Sequence, residues 1–230
     1  MKYKALFLDA DDTIFDYHAG ETEAFRLTAV EFGFGDRIAE AQQRYRVHNA
    51  EVWKALEQKR ITQDELKIRR FALLLDDLHA DTTQAPRMSQ FYLDRLSEQT
   101  QLLPGAEEAV AALAKRYLLV LVTNGLTYVQ RRRFAAAPVT KHFSSILISE
   151  EIGTAKPDPA IFTSALQEFK LDPHRILLIG DSTSSDMPAA RNAGMDFCWI
   201  NPLGAPVPDG FTPRYDVRSL ADIPAMLLRD

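Results

Sequence analysis

Five short apolar runs recur along the chain, at residues 4–9, 118–123, 144–148, 175–179 and 195–200. Each is too short for a buried helix and is bounded by turn-forming or polar residues, which predicts strands. Between most of them the apolar positions change to a helical period, near 105–116, 126–136, 158–170 and 185–193. A last helical stretch near 219–228 is expected to pack on the outside. Strands alternating with helices predict an α/β class: a parallel sheet with helices on both faces.

One interval breaks the alternation. From residue 16 to residue 99 no strand pattern occurs, and four helical patterns follow one another near 17–33, 36–57, 63–79 and 84–99. Breaks fall at Gly33-Phe34-Gly35, Arg60-Ile61-Thr62 and Asp81-Thr82-Thr83. Thr62 with Glu65 fits a capping box at the start of the third helix. Pro104-Gly105 marks the return to the sheet. The expected organisation is an α/β core of residues 1–15 and 100–230, with an inserted helical subdomain of residues 16–99. A helical insert tethered at two points beside a strand end is a natural lid. Its hinge is expected at Phe15-Asp16 or at Leu103-Pro104.

Composition adds mainly exclusions. The chain has 230 residues, enough for one large domain or a core plus insert, with an ordinary balance of 46% hydrophobic and 26% charged residues. Its formal net charge of −5 argues against nucleic acid as a bulk electrostatic partner. No apolar stretch reaches the roughly 18 residues of a membrane span. The single cysteine, Cys198, lies among Phe197, Trp199 and Ile200 and is expected to be a core thiol. A cytoplasmic location is the expectation that follows. The five histidines show no metal-ligand spacing. Monomer and homodimer both remain open.

The chemistry gathers where the apolar runs stop. The first run ends in Asp9-Ala10-Asp11-Asp12-Thr13, the second in Thr123-Asn124-Gly125, and the fourth in Gly180-Asp181-Ser182, with Asp186 one turn later. Lys156 stands between Pro157 and Pro159 on one side and Gly153-Thr154-Ala155 on the other, just before a helical pattern. In an open parallel sheet the carboxyl ends of the strands share one edge, where ligands bind. Each group also has a plainer reading. Asp186 can offset a helix dipole; Thr123 and Asn124 can close a turn; Lys156 can be a surface lysine. Thr13 is expected to support the turn by hydrogen bonding rather than to touch a substrate.

Taken together, Asp9-x-Asp11-x-Thr13, Thr123-Asn124, Lys156 and Asp181…Asp186 resemble the four signature motifs of the haloacid dehalogenase superfamily, in order and across almost the whole chain. The resemblance implies a Rossmann-like core with an all-helical type 1 cap. It further implies a Mg²⁺-dependent phosphomonoester hydrolase working through an aspartyl-phosphate. Asp9 would be the nucleophile and Asp11 the general acid and base. Crowding among the carboxylates would raise a pKa and favour the acid role. Lys156 would neutralise phosphate and nucleophile; Thr123 and the Asn124 backbone N–H would hold phosphate oxygens. The cation would be bound by the side chains of Asp9 and Asp181 and the backbone carbonyl of Asp11. Asp186 would act through a bound water or by orienting Lys156.

Dehalogenases of this fold lack an acid at the position of Asp11, and its phosphomutases usually carry glycine at the position of Asp12; both departures favour phosphate hydrolysis. Ser149–Pro157, the stretch Ile61–Leu66 with Arg70-Phe71, and Trp199-Ile200-Asn201 are similar to a pyrimidine 5′-nucleotidase subgroup. That likeness implies a small phosphate ester, a nucleoside monophosphate first, as substrate. A sugar-phosphate or phosphoglycolate phosphatase is the alternative, and a catalytically idle binding domain a remote one. A nucleoside needs an apolar slot with few polar tips, for which Phe15, Tyr17, Trp53, Arg70 and Phe71 are the possible lining. For most of them, Trp53 and Phe71 included, a core role is the stronger reading, and Arg70 reads equally as a solvated face or a salt bridge. Arg131-Arg132-Arg133 reads as a solvated helix face.

Overall fold

The computed structural model describes residues 2–228. They form two units: residues 2–17, 100–127 and 134–228 make an α/β unit, and residues 18–99 with 128–133 a helical one.

The strands are β1 (Ala5–Leu8), β2 (Leu118–Thr123), β3 (Ser145–Ile148), β4 (Ile176–Gly180), β5 (Asp196–Ile200) and β6 (Tyr215–Val217). They form one six-stranded sheet in the order β3-β2-β1-β4-β5-β6, parallel throughout. β1 sits at the centre, with Ala5 opposite both Leu118 and Ile176. Alternate residues of each strand point to opposite faces, and both faces are covered. Leu6, Leu8, Leu119, Leu121, Leu177 and Ile179 pack with Val110 and Leu113 of α5 (Ala106–Leu113), Phe134 of α6 (Thr127–Ala136) and Ile223 of α10 (Ile223–Leu227). Ala5, Phe7, Val120, Val122, Ile176 and Leu178 pack with Ile161, Phe162, Ala165 of α8 (Thr163–Glu168) and Met187 of α9 (Asp186–Ala193). Burial from both sides is why these strands read as continuous apolar runs. The short α7 (Ser149–Ile152) and β6 were not among the expected elements.

The helical unit is built from α1 (Tyr17–Glu31), α2 (Ile38–Glu57), α3 (Gln63–Asp77) and α4 (Ala85–Ser97). Its core is aromatic: Tyr45 stacks on Phe25 at 4.7 Å and on Phe71 at 5.3 Å, and Phe71 meets Tyr92 at 5.2 Å between ring centroids. A polar thread crosses the same helices. Arg70 Nη1 donates to Asn49 Oδ1 (3.1 Å), and Asn49 Nδ2 donates to Glu21 Oε1 (3.3 Å). The Thr62–Glu65 capping box is formed in both directions. Contrary to the solvated face expected for Arg131–Arg133, Arg133 is buried, with Nε donating to Gln99 O at 2.8 Å; Arg131 and Arg132 are exposed. The helix brings one of three successive arginines inward, as its 100° step requires.

Among the described residues no helix is long and apolar enough to cross a membrane.

Candidate active site

β1 is flanked by β2 and β4; the chain runs outward from β1 through β2 to β3 and then crosses back to β4 on the other side, so the carboxyl end of β1 lies where the strand order reverses. Asp9 is the first residue past that end, fixed by its N–H donating to Ile179 O at 2.9 Å. The chain then turns sharply. Ile14 and Phe15 N–H both reach Ala10 O, at 3.0 and 2.9 Å, and Asp12 N–H reaches Phe15 O at 2.9 Å. Asp12 takes the left-handed conformation the turn needs, at φ 58°, which aspartate tolerates better than most residues. Thr13 is fully buried, but its hydroxyl has no hydrogen-bond partner among the described residues. Backbone bonds therefore hold this turn, not the threonine hydroxyl that the sequence suggested.

Lys156 is buried beneath Asp9, which excludes the surface-lysine reading. Its ammonium pairs with Asp9 Oδ1, with Asp186 Oδ1 at 2.7 Å, and with Val122 O of β2 at 3.0 Å. The ammonium is thus held by two hydrogen bonds, to Asp9 Oδ1 and Val122 O, and by an ion pair with Asp186 Oδ1. Burial alone would lower the lysine pKa, but Asp186 and Asp9 outweigh it and hold the group protonated. Asp186 is fully buried at the start of α9, and Oδ2 accepts from Ser182 N at 3.1 Å. It closes the turn after β4 and pairs with the lysine. Gly180 makes room for it: a Cβ there would overlap the Asp186 carboxylate. Asp181 follows β4 directly, and its backbone carbonyl accepts from Trp199 Nε1 at 2.9 Å.

Carboxylate oxygens of Asp9, Asp181 and Asp186 come within 4.8 Å of one another. Burial, followed by Asp186 and Asp12, pushes the Asp181 carboxyl up to about 7. Asp9 is likewise held well above the usual carboxylate range by desolvation, with Lys156 opposing and Asp186, Asp181 and Asp11 adding to it. Such an oxygen-only cluster, with more negative charge than one ammonium offsets, fits a hard divalent cation such as Mg²⁺.

Thr123 ends β2 and is buried. Asn124 follows it, and its side-chain amide grips the backbone of Lys156. Asp11 lies half-buried in the turn after Asp9. So the structure brings Asp9, Asp11, Thr123, Asn124, Lys156, Asp181 and Asp186 to one edge of one sheet. The possible substrate-lining residues are more scattered. Phe15 is fully buried against Phe134 at 5.6 Å, and Phe71 is fully buried in the helical core, so neither presents surface to a ligand. Arg70 is 1% exposed and lies over the Phe71 and Tyr92 rings. Tyr17 and Trp53 are half-buried. Three supports escaped sequence reasoning: the Asn124 side chain, the Trp199 indole, and Glu150, whose Oε2 accepts from Thr127 N at 2.5 Å at the start of α6. Glu150 and Trp199 lie in the stretches Ser149–Pro157 and Trp199-Ile200-Asn201, but nothing in local pattern pointed to these bonds.

Sheet order, strand-end carboxylates and buried lysine define a haloacid dehalogenase-like hydrolase. The model of that family matches residues 3–194, and the chain belongs to it. Within the family it is similar to two bacterial pyrimidine 5′-nucleotidases. It is 34% identical to PynA of Streptococcus pneumoniae, covering 97% of this chain and 94% of that one. It is 30% identical to YjjG of Escherichia coli over the full length of both. Among solved structures, that of YfnB of Bacillus subtilis, described as a HAD-hydrolase and bound to magnesium, superposes with a TM-score of 0.90 at 30% identity, covering 99% of each chain.

Proposed function

We propose that this chain is a Mg²⁺-dependent phosphomonoesterase that acts through a phosphorylated Asp9, with pyrimidine nucleoside 5′-monophosphates as its substrates. One observation carries the reading: a buried carboxylate at the central strand end is paired with a buried lysine and crowded by two further carboxylates. The names of PynA and YjjG support the choice of substrate.

Asp9 attacks phosphorus, and the bond from phosphorus to the ester oxygen breaks. Asp11 gives its proton to that oxygen, so the nucleoside leaves as an alcohol. Asp11, now ionised, takes a proton from water; the water oxygen attacks phosphorus, and the bond to Asp9 breaks to release phosphate. Lys156 holds positive charge beside the Asp9 carboxylate in both steps. Thr123 and the Asn124 backbone N–H donate to the phosphate oxygens. Asp9, Asp181 and the Asp11 carbonyl would hold Mg²⁺, with Asp186 behind them. Bound there, the cation would keep Asp9 ionised and offset the charge of the transferring phosphoryl group. The acid at Asp11 distinguishes this chemistry from haloacid dehalogenation, which has no leaving alkoxide to protonate.

Asp9→Asn tests the reading. It is expected to lower phosphate release by at least about 10³-fold, and the wild type quenched in acid should carry hydroxylamine-labile phosphate on Asp9. An Asp9→Asn enzyme with wild-type turnover would refute the nucleophile.

A further inference from the structure

The root of Lys156 is held as deliberately as its tip. The Lys156 N–H donates to Asn124 Oδ1 at 2.8 Å, and Asn124 Nδ2 donates to the Lys156 carbonyl at 2.8 Å. One amide side chain thus satisfies both backbone polar groups of one residue, as a neighbouring strand would. Elsewhere in the loop between α7 and α8, Gly153 N–H reaches Ser149 O, Asp158 N–H reaches Ala155 O, and Asn192 Nδ2 of α9 donates to Pro157 O at 3.1 Å, but none of these holds the backbone of Lys156 itself. Asn124 stands two residues beyond Val122, whose carbonyl accepts from the Lys156 ammonium. The end of β2 therefore holds both ends of the lysine, its backbone through Asn124 and its Nζ through Val122.

We propose that Asn124 is a positioning residue: its side chain clamps the Lys156 backbone so that the ammonium stays between Asp9 and Asp186. This rests on the phosphatase reading of the site. Both polar atoms of the Asn124 side chain face the lysine backbone, so its contribution passes through Lys156. Losing the side chain strips partners from two backbone groups of a buried residue, and such groups are costly to leave unmade. The loop then relaxes to satisfy them elsewhere, and the ammonium shifts from Asp9, Asp186 and Val122. A displacement near 1 Å at a group aligned with the reacting atoms can cost about 100-fold in rate.

The test is a double-mutant cycle of Asn124→Ala and Lys156→Ala, together with a crystal structure of Asn124→Ala. Steady-state rates are measured on the most rapidly cleaved ester of a nucleotide panel. Asn124→Ala is expected to lower kcat about 10- to 100-fold with KM changed less than about threefold. In the Lys156→Ala background the same substitution should cost less than about threefold, because the residue it acts through is gone. An equal loss in both backgrounds would overturn the proposal in favour of a direct or general structural role, and so would wild-type kcat in Asn124→Ala. The crystal structure decides independently of turnover. Residues 154–157 displaced, with Lys156 Nζ moved off Asp9, support the clamp; a lysine that keeps its place refutes it. A wild type that cleaves no ester would instead refute the phosphatase reading, and the position of Lys156 in the Asn124→Ala crystal would still decide for or against the clamp.

Discussion

Gly180 shows how closely single atoms are matched at this site. The strand β4 must end without a Cβ because Asp186 folds back against it, its carboxylate filling the place where that carbon would stand. Gly180→Ala is therefore expected to push Asp186 out of place, costing about 1–3 kcal/mol of stability and weakening Mg²⁺ binding. Thermal unfolding and a Mg²⁺ titration would check this; unchanged values in both would show that Asp186 has room to move. Asp9 and Asp181 were legible in the sequence because each directly follows an apolar run, and a strand end fixes where the next side chain goes. The Asn124 clamp was not legible: its partner is 32 residues away, and nothing in local pattern links an amide to a distant loop. Phe15 and Arg70 show the reverse failure. An aromatic and an arginine near a presumed lid suggested substrate contact, yet packing against Phe134 in one case and over Phe71 and Tyr92 in the other takes up their surface.

At the scale of elements, α3 owes its start to the reciprocal bonds of Thr62 and Glu65, at 3.2 Å from Glu65 N to Thr62 Oγ1 and 2.7 Å from Thr62 N to Glu65 Oε2. Thr62→Ala is expected to cost about 1 kcal/mol, read as a Tm lower by roughly 2–4 °C. The Thr62 backbone N–H and hydroxyl hold the Glu65 carboxyl below its usual range. A lowered folded pKa means that the contribution is present above the unfolded carboxylate value and lost as pH falls through the folded one. The Tm difference between Thr62→Ala and wild type should therefore shrink in acid; a difference that grew would contradict the capping role. This box was readable because its two residues are three apart. β6 was not: it is three residues long, at the sheet edge, with Asp216 exposed between half-buried Tyr215 and Val217. A short edge strand lacks the apolar run that announces its buried neighbours. Two backbone bonds join residues 14–16 to 101–103: Asp16 N–H reaches Gln101 O at 3.0 Å, and Leu103 N–H reaches Ile14 O at 2.9 Å.

For the molecule as a whole, the acidic cluster couples stability to metal and pH. Desolvation and mutual repulsion raise the folded pKa of Asp9 and bring that of Asp181 to about 7. Groups raised in this way favour folding at low pH, and that support is lost as pH rises toward about 7. Mg²⁺ held at Asp9, Asp181 and Asp186 would remove the repulsion above that range, where protons no longer compete for the oxygens. The Tm increase produced by Mg²⁺ should therefore be larger at pH 8 than at pH 5.5, and Asp181→Asn should abolish most of it. Equal increases at both pH values would contradict a site made of these carboxylates. The parallel sheet, the helical insert and the shared edge of motifs could be read from alternation and spacing. Substrate choice could not, because a binding slot is made by packing rather than by sequence order.

The measurement that bears most directly on the account is the initial rate of phosphate release from a panel of nucleoside and sugar monophosphates, with Mg²⁺ and with EDTA. UMP, dUMP or dTMP is expected to be cleaved well ahead of the sugar phosphates and phosphoglycolate, and EDTA is expected to abolish turnover. Rates led by sugar phosphates would contradict the nucleotidase assignment, and turnover undiminished in EDTA would contradict the metal-dependent mechanism.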